Sequence, residues 1–77
     1  MTLQILTPSS SEMHTAEAVF LPGAAGAFEV LPGHAPIISS LDAGLVRWRG
    51  EDGEKSLAIR GGMVQVKDDT IQICIEA

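Results

Sequence analysis

The sequence predicts an all-β fold: a two-sheet, mostly antiparallel β-sandwich, in the form of a flattened barrel, of about 8–10 short strands. Three observations predict it. Short runs rich in apolar and β-branched residues recur at intervals of roughly 8–12 residues, with Gly, Pro, Asp or Ser at every break. No segment sustains a helical apolar period, so no helix has a continuous face to bury. Asp52-Gly53 lies between two strand-like runs, the strongest short-range signal for a hairpin. With 77 residues the chain reads as one domain, residues 1–77, and a domain of that size buries only about 60% of its unfolded surface and gains from a supporting partner.

Taken in order, Thr2-Leu3-Gln4-Ile5-Leu6-Thr7 alternates polar and apolar residues and reads as a strand that Pro8 and Ser9-Ser10-Ser11 end. From Glu12 to Leu21 the alternation of Met13, Thr15, Glu17 and Val19 against His14, Ala16, Ala18 and Phe20 is weaker. Ala16-Glu17-Ala18 alone could start a helix, but the β-branched and aromatic ending before a turn favours a single strand. Ile37-Ile38-Ser39-Ser40-Leu41 is too short for a stable helix, and Asp42-Ala43-Gly44 supplies the next turn. Leu45 to Arg49 alternates, with Val46 and Trp48 on one face and Arg47 and Arg49 on the other. Lys55 to Ile59 returns after the Asp-Gly turn. Gly61-Gly62 breaks the chain, Met63-Val64-Gln65-Val66 resumes it, Lys67-Asp68-Asp69 turns it, and Thr70 to Ile75 is the last strand.

The stretch from Leu21 to Pro36 carries the most information. Two Leu-Pro-Gly triplets, Leu21-Pro22-Gly23 and Leu31-Pro32-Gly33, each read as a type II turn, with Pro fixing φ and Gly free to take φ > 0. Between them there is room for one short strand around Phe28 and Val30, with Leu31 expected in the core. Ala24-Ala25-Gly26-Ala27 has no long side chains to hold it to a core and reads as an exposed tip. So apolar a tip calls for something to pack on it.

Composition excludes several functions. Five basic against ten acidic residues give a net charge of −5, which repels a phosphate backbone, so no nucleic-acid partner is expected. Two Phe, one Trp and no Tyr leave no set of rings for stacking bases or sugars. Cys74 is the only cysteine; it can build neither an internal disulfide nor a multi-cysteine metal site, and its alternating surroundings predict a half-buried thiol. No apolar run is long enough to span a membrane, and no basic-then-apolar leader or Arg-rich transit segment opens the chain, which reads as cytoplasmic.

Few residues qualify as chemical sites. His34 could act as a base or a metal ligand, but no nucleophile or carboxylate is placed beside it, and His14 lies twenty residues away. A turn-pinning hydrogen bond or a partner contact suits it better. Ser9-Ser10-Ser11 and Ser39-Ser40 lack the elbow that activates a serine. Gly61-Gly62 lacks the helix and Lys of a phosphate cradle and reads as a bulge or tight crossing. Glu51-Asp52-Glu54 and Asp68-Asp69 lack calcium-loop spacing and read as solvated tips. Arg47 and Arg49 are expected to pair with acidic residues on their face.

Four ordered blocks carry a family resemblance: Leu21-Pro22-Gly23 with Gly26; Val30 through Leu41, containing Pro32-Gly33-His34-Ala35-Pro36; Gly44 followed by Val46-Arg47; and Gly61-Gly62-Met63-Val64-Gln65-Val66. Nearly the whole chain resembles the N-terminal β-sandwich domain of the epsilon subunit of the rotary F-type ATP synthase. The resemblance implies a non-catalytic rotor-stalk subunit that binds the gamma subunit and the ring of c subunits, coupling proton-driven rotation to ATP synthesis. It places the ring contact on Ala24, Ala25, Gly26, Ala27 and Phe28, and the gamma contact on Thr7, His34, Ala35, Pro36 and Ser39. No cofactor, small-molecule ligand or direct membrane insertion is implied. The expected location is peripheral, on the cytoplasmic side of a bacterial inner membrane. Many family members carry an acidic residue where this chain has Ala27 and a Gly where it has Glu29, so the acidic ring contact is shifted here or replaced by apolar packing. Full-length members continue past the position of Glu76-Ala77 into two helices that carry inhibition and, in some, ATP binding, so neither activity carries over to these residues. The competing reading is a small ligand- or sugar-binding β-sandwich module. An enzyme built on His34 is a more distant third.

Overall fold

In a computed structural model, residues 1–76 are described and form nine strands and no helix. In chain order they are β1 (Thr2–Leu6), β2 (Ser11–Thr15), β3 (Ala18–Leu21), β4 (Phe28–Val30), β5 (Ile37–Leu41), β6 (Gly44–Gly50), β7 (Gly53–Ile59), β8 (Gly62–Lys67) and β9 (Thr70–Ile75). They build one five-stranded sheet, ordered β2-β1-β9-β8-β5, and one four-stranded sheet, ordered β4-β3-β6-β7. Every pairing is antiparallel except β1 with β9. The two sheets stay separate and do not close into a barrel.

The alternation in the sequence decides which residues face inward. Leu3, Ile5, Val64, Val66, Ile71 and Ile73 from the larger sheet meet Val19, Leu21, Val30, Val46, Trp48 and Ile59 from the smaller one. Burying such side chains stabilises by roughly 1.5–3 kcal/mol each before entropy is counted. Arg47 and Arg49 point outward opposite buried Val46 and Trp48, as the alternation predicts. Arg47 donates to Glu54 Oε1 at 3.2 Å and lies 4.8 Å from the Phe20 ring centroid.

Three turns follow their local chemistry. Pro32-Gly33 makes the expected turn: Gly33 has φ 83° and the His34 amide donates to Leu31 O at 3.1 Å. Gly53, at φ 97°, closes the β6–β7 hairpin, whose strands pair from Gly44 with Ile59 to Gly50 with Gly53. Asp68 and Asp69 both take positive φ, 52° and 59°, as a two-residue hairpin loop requires. Gly62 lies where an added Cβ would run into Cys74 O, so Gly61-Gly62 is a close crossing.

Other expectations need correction. Glu12 to Leu21 is two strands in different sheets: β2 pairs with β1, and β3 pairs with β4 and β6. The chain crosses between sheets at Ala16-Glu17, whose amides donate to Met1 O and Arg49 O. Continuous alternation hid the crossing because Ala16 is small enough to be buried there. Leu21-Pro22-Gly23 is not a type II turn, since Gly23 lacks a positive φ. Gly23 instead bridges Leu41, and the turn follows at Ala24-Ala25, closed by the Gly26 amide donating to Gly23 O at 3.0 Å. Ile37–Leu41, unassigned from sequence, is the edge strand β5, stabilised by its pairing with β8. Leu31 is 48% exposed because Val30 takes the inward position of β4. Cys74 is exposed, on the outer side of β9 between inward-facing Ile73 and half-buried Ile75.

Candidate docking surfaces

The sandwich has two ends. At one end lie the β3–β4 loop, the end of β1 with Thr7, and the β5–β6 turn at Asp42-Ala43. At the other lie the N-terminus, the β6–β7 hairpin tip, and the Leu31–His34 turn, whose Gly33 amide donates to Asp69 Oδ1.

Ala24, Ala25, Gly26 and Ala27 form an exposed tip, whereas Phe28 is half-buried and packs on the core. Backbone hydrogen bonds strap the base of the tip to β5 and the turn after it. Ala24 N donates to Ser40 O at 2.9 Å, and Asp42 N donates to Pro22 O at 2.8 Å. An added Cβ at Gly23 would stand 2.5 Å from Gly26 O and 2.7 Å from the Phe28 ring, so only glycine fits there.

Thr7 and the His34–Pro36 segment are not brought together. β1 and β5 have β9 and β8 between them, three steps of about 4.8 Å, and Thr7 and His34 lie at opposite ends of the sheet. Only a partner covering the intervening face reaches both. His34 is half-buried, with Nδ1 2.7 Å from Ala35 O. Ser39 pairs with buried Val64, is itself half-buried, and donates from Oγ to Ser40 O at 3.2 Å.

The intervening outer face is the feature that sequence reading missed. The registers align its side chains in three rows: Ser11, Leu6, Cys74, Met63 and Ser40; then Met13, Gln4, Gln72, Gln65 and Ile38; then Thr15, Thr2, Thr70 and Lys67. Lys67 is its one charge, and none of the chain's ten acidic residues occupies these positions. Met13, Ile38 and Met63 are 67%, 71% and 46% exposed. At the centre Gln72 Nε2 donates to Gln4 Oε1 at 3.0 Å. The outer face of the other sheet carries Arg47, Arg49, Glu29 and Glu54 instead. The signal was present in the sequence, because the polar positions of the strands from Thr2, Gly62 and Thr70 hold Thr, Gln and Cys with Lys67 the sole charge. Which strands share a sheet was not.

Elsewhere, His14 packs on Trp48 with ring centroids 4.9 Å apart and lies 3.2 Å from Glu12 Oε2, holding the otherwise exposed β2 onto the sandwich. The open depression beside it is lined by Glu17, Glu51, Asp52 and Lys55. Among the described residues, no group of three or more His, Cys, Asp or Glu is placed to hold a metal ion, and no helix is long and apolar enough to cross a membrane.

Comparison with known proteins agrees with this architecture. The ATP synthase epsilon chain of Synechococcus sp. (strain WH7803) is 35% identical over 78 residues, covering 100% of this chain and 57% of that protein. The ATP synthase epsilon chain of Desulfitobacterium hafniense (strain DSM 10664 / DCB-2) is 37% identical over 73 residues, covering 94% and 55%. The chain thus spans a little over half the length of these relatives. The fold recurs in the Tetrahymena thermophila mitochondrial ATP synthase central stalk/c-ring structure, with TM-score 0.83, 14% identity and coverage of 99% of this chain and 63% of that one. It recurs again in the Euglena gracilis mitochondrial ATP synthase OSCP/F1/c-ring structure, with TM-score 0.87, 22% identity and coverage of 95% and 48%. Residues 1–77 match the family described as the ATP synthase delta/epsilon chain, beta-sandwich domain. Two packed sheets, the four motif blocks and a match along the full chain lead to one assignment: the chain belongs to the β-sandwich domain family of ATP synthase delta/epsilon chains.

Proposed function

We propose that residues 1–77 form one domain of a non-catalytic component of the ATP synthase central stalk, docking on the gamma subunit through the outer face of the five-stranded sheet, where Lys67 is the one charge, and on the c-ring through the 24–28 tip. This face, free of acidic residues, carries the reading. A sheet face that excludes every acidic residue of a net-acidic chain, and exposes two Met and an Ile, suits a large protein partner better than water. It lies between Thr7 and the His34–Pro36 segment, so one gamma-sized partner can reach both. A packed sandwich suits a torque-transmitting role because close-packed cores deform little. In a bacterium such a subunit sits peripherally, on the cytoplasmic side of the inner membrane.

The test is complex formation with purified gamma subunit, measured by size exclusion and titration. The unmodified chain is expected to form a complex, and Gln65→Glu, which puts a charge in the middle row of the face at an exposed position, is expected to weaken it about tenfold or more while leaving the melting temperature nearly unchanged. Unaltered binding by Gln65→Glu overturns the assignment of this face.

A further inference from the structure

We propose that Gly23 is a positioning residue that makes the β3–β4 tip rigid relative to strand β5, so that force applied at the tip passes directly to the edge of the outer face of the five-stranded sheet. This inference rests on the docking reading above. Four exposed small residues in a loop ordinarily move freely, because nothing anchors their side chains. Here the loop is strapped at its base to the other sheet. Ala24 N donates to Ser40 O and Asp42 N donates to Pro22 O, at 2.9 and 2.8 Å, and Gly23 forms a bridge with Leu41. β3 and β4 belong to the four-stranded sheet and β5 to the five-stranded one, so this strap ties the two sheets together at the tip end. Gly23 is what lets it close. Its missing side chain leaves space for Gly26 O and for the Phe28 ring, which packs on the core. The tip is thus fixed from below by an aromatic ring and from the side by two backbone hydrogen bonds, while Ala24 to Ala27 stay free for a partner. β5 carries Ile38 and Ser40 on that outer face, one residue from Leu41 and Ser39. A displacement at the tip therefore reaches that face without crossing the hydrophobic core.

Amide hydrogen exchange on this chain, with no partner present, tests the strap. The amides of Ala24 and Asp42 are expected to exchange at least about tenfold more slowly than that of exposed Ala25, and Gly23→Ala is expected to remove that protection while Val64 and Ile73 stay protected. If Gly23→Ala does not fold, Asp42→Pro deletes the other donor at a turn position outside the tip, and the Ala24 amide reports the loss. The transmission role is read in a reconstituted synthase, where both variants are expected to co-purify like the unmodified chain but to lower proton pumping per ATP by about twofold or more. Protection unaffected by either variant, or an unchanged pumping ratio with the strap open, overturns the proposal. Failure of the unmodified chain to co-purify overturns the docking reading and the transmission role with it, while exchange independently decides whether the strap exists.

Discussion

Leu21 and Leu31 are the same side chain in two environments, ten residues apart in a stretch where sequence alone assigned Leu31 to the core. Leu21 is 2% exposed among the inward-facing residues of β3, and Leu31 is 48% exposed where the chain leaves β4. Removing Leu21 leaves a cavity bounded by both sheets, so Leu21→Ala is expected to cost about 2–5 kcal/mol. Leu31→Ala is expected to cost about 0.5 kcal/mol or less, since no core void follows. Urea unfolding of the two variants checks the pair, and a Leu31→Ala loss as large as that of Leu21→Ala would contradict the burial pattern. The misassignment has a simple cause: in a three-residue strand, one step of register exchanges inside and outside. Val30, opposite buried Val19, holds the inward position.

The β3–β4 loop behaves as an element in its own right. Ala25 and Ala27 are exposed, and neither side chain takes part in the hydrogen bonds to Ser40 and Asp42. Ala25→Asp and Ala27→Arg are accordingly expected to change stability by about 0.5 kcal/mol or less, yet to weaken assembly onto ring-containing membranes if the tip docks there. Melting curves and reconstitution of the same variants separate the outcomes: unfolding places these side chains inside the fold, and unchanged assembly sinks the tip as a ring contact. The exposure of this element was legible in its run of small residues. Its anchorage was not, because a backbone hydrogen bond between Ala24 and Ser40 leaves no mark on either side chain. The same limit concealed the break at Ala16-Glu17, where two short strands of compatible alternation run on without a Gly or Pro between them.

Across the whole molecule, charge is sorted by face. Arginines and glutamates share the outer side of the four-stranded sheet, while the outer side of the five-stranded sheet is neutral apart from Lys67. A partner docked on the neutral face gains little from ionic attraction, so its affinity is expected to change by only about twofold between low and physiological salt. A titration of the gamma complex across that range checks this, and a steep salt dependence would point to the Arg47 and Arg49 face instead.

Sequence by itself determined the all-β class, the β6–β7 and β8–β9 hairpins, the Pro32-Gly33 turn and the family, because each rests on neighbouring residues: period-two alternation, an Asp-Gly or Asp-Asp step, a motif block. Only the tertiary structure decided what joins distant residues. The parallel pairing of β1 with β9 sets Gln4 beside Gln72, and the pairing of β5 with β8 makes Ile37–Leu41 a strand and extends the neutral face to Ile38. Sheet neighbours are chosen by the packing of whole faces against one another. Local alternation tells a side chain which way to point, but not whose side chain it will lie beside.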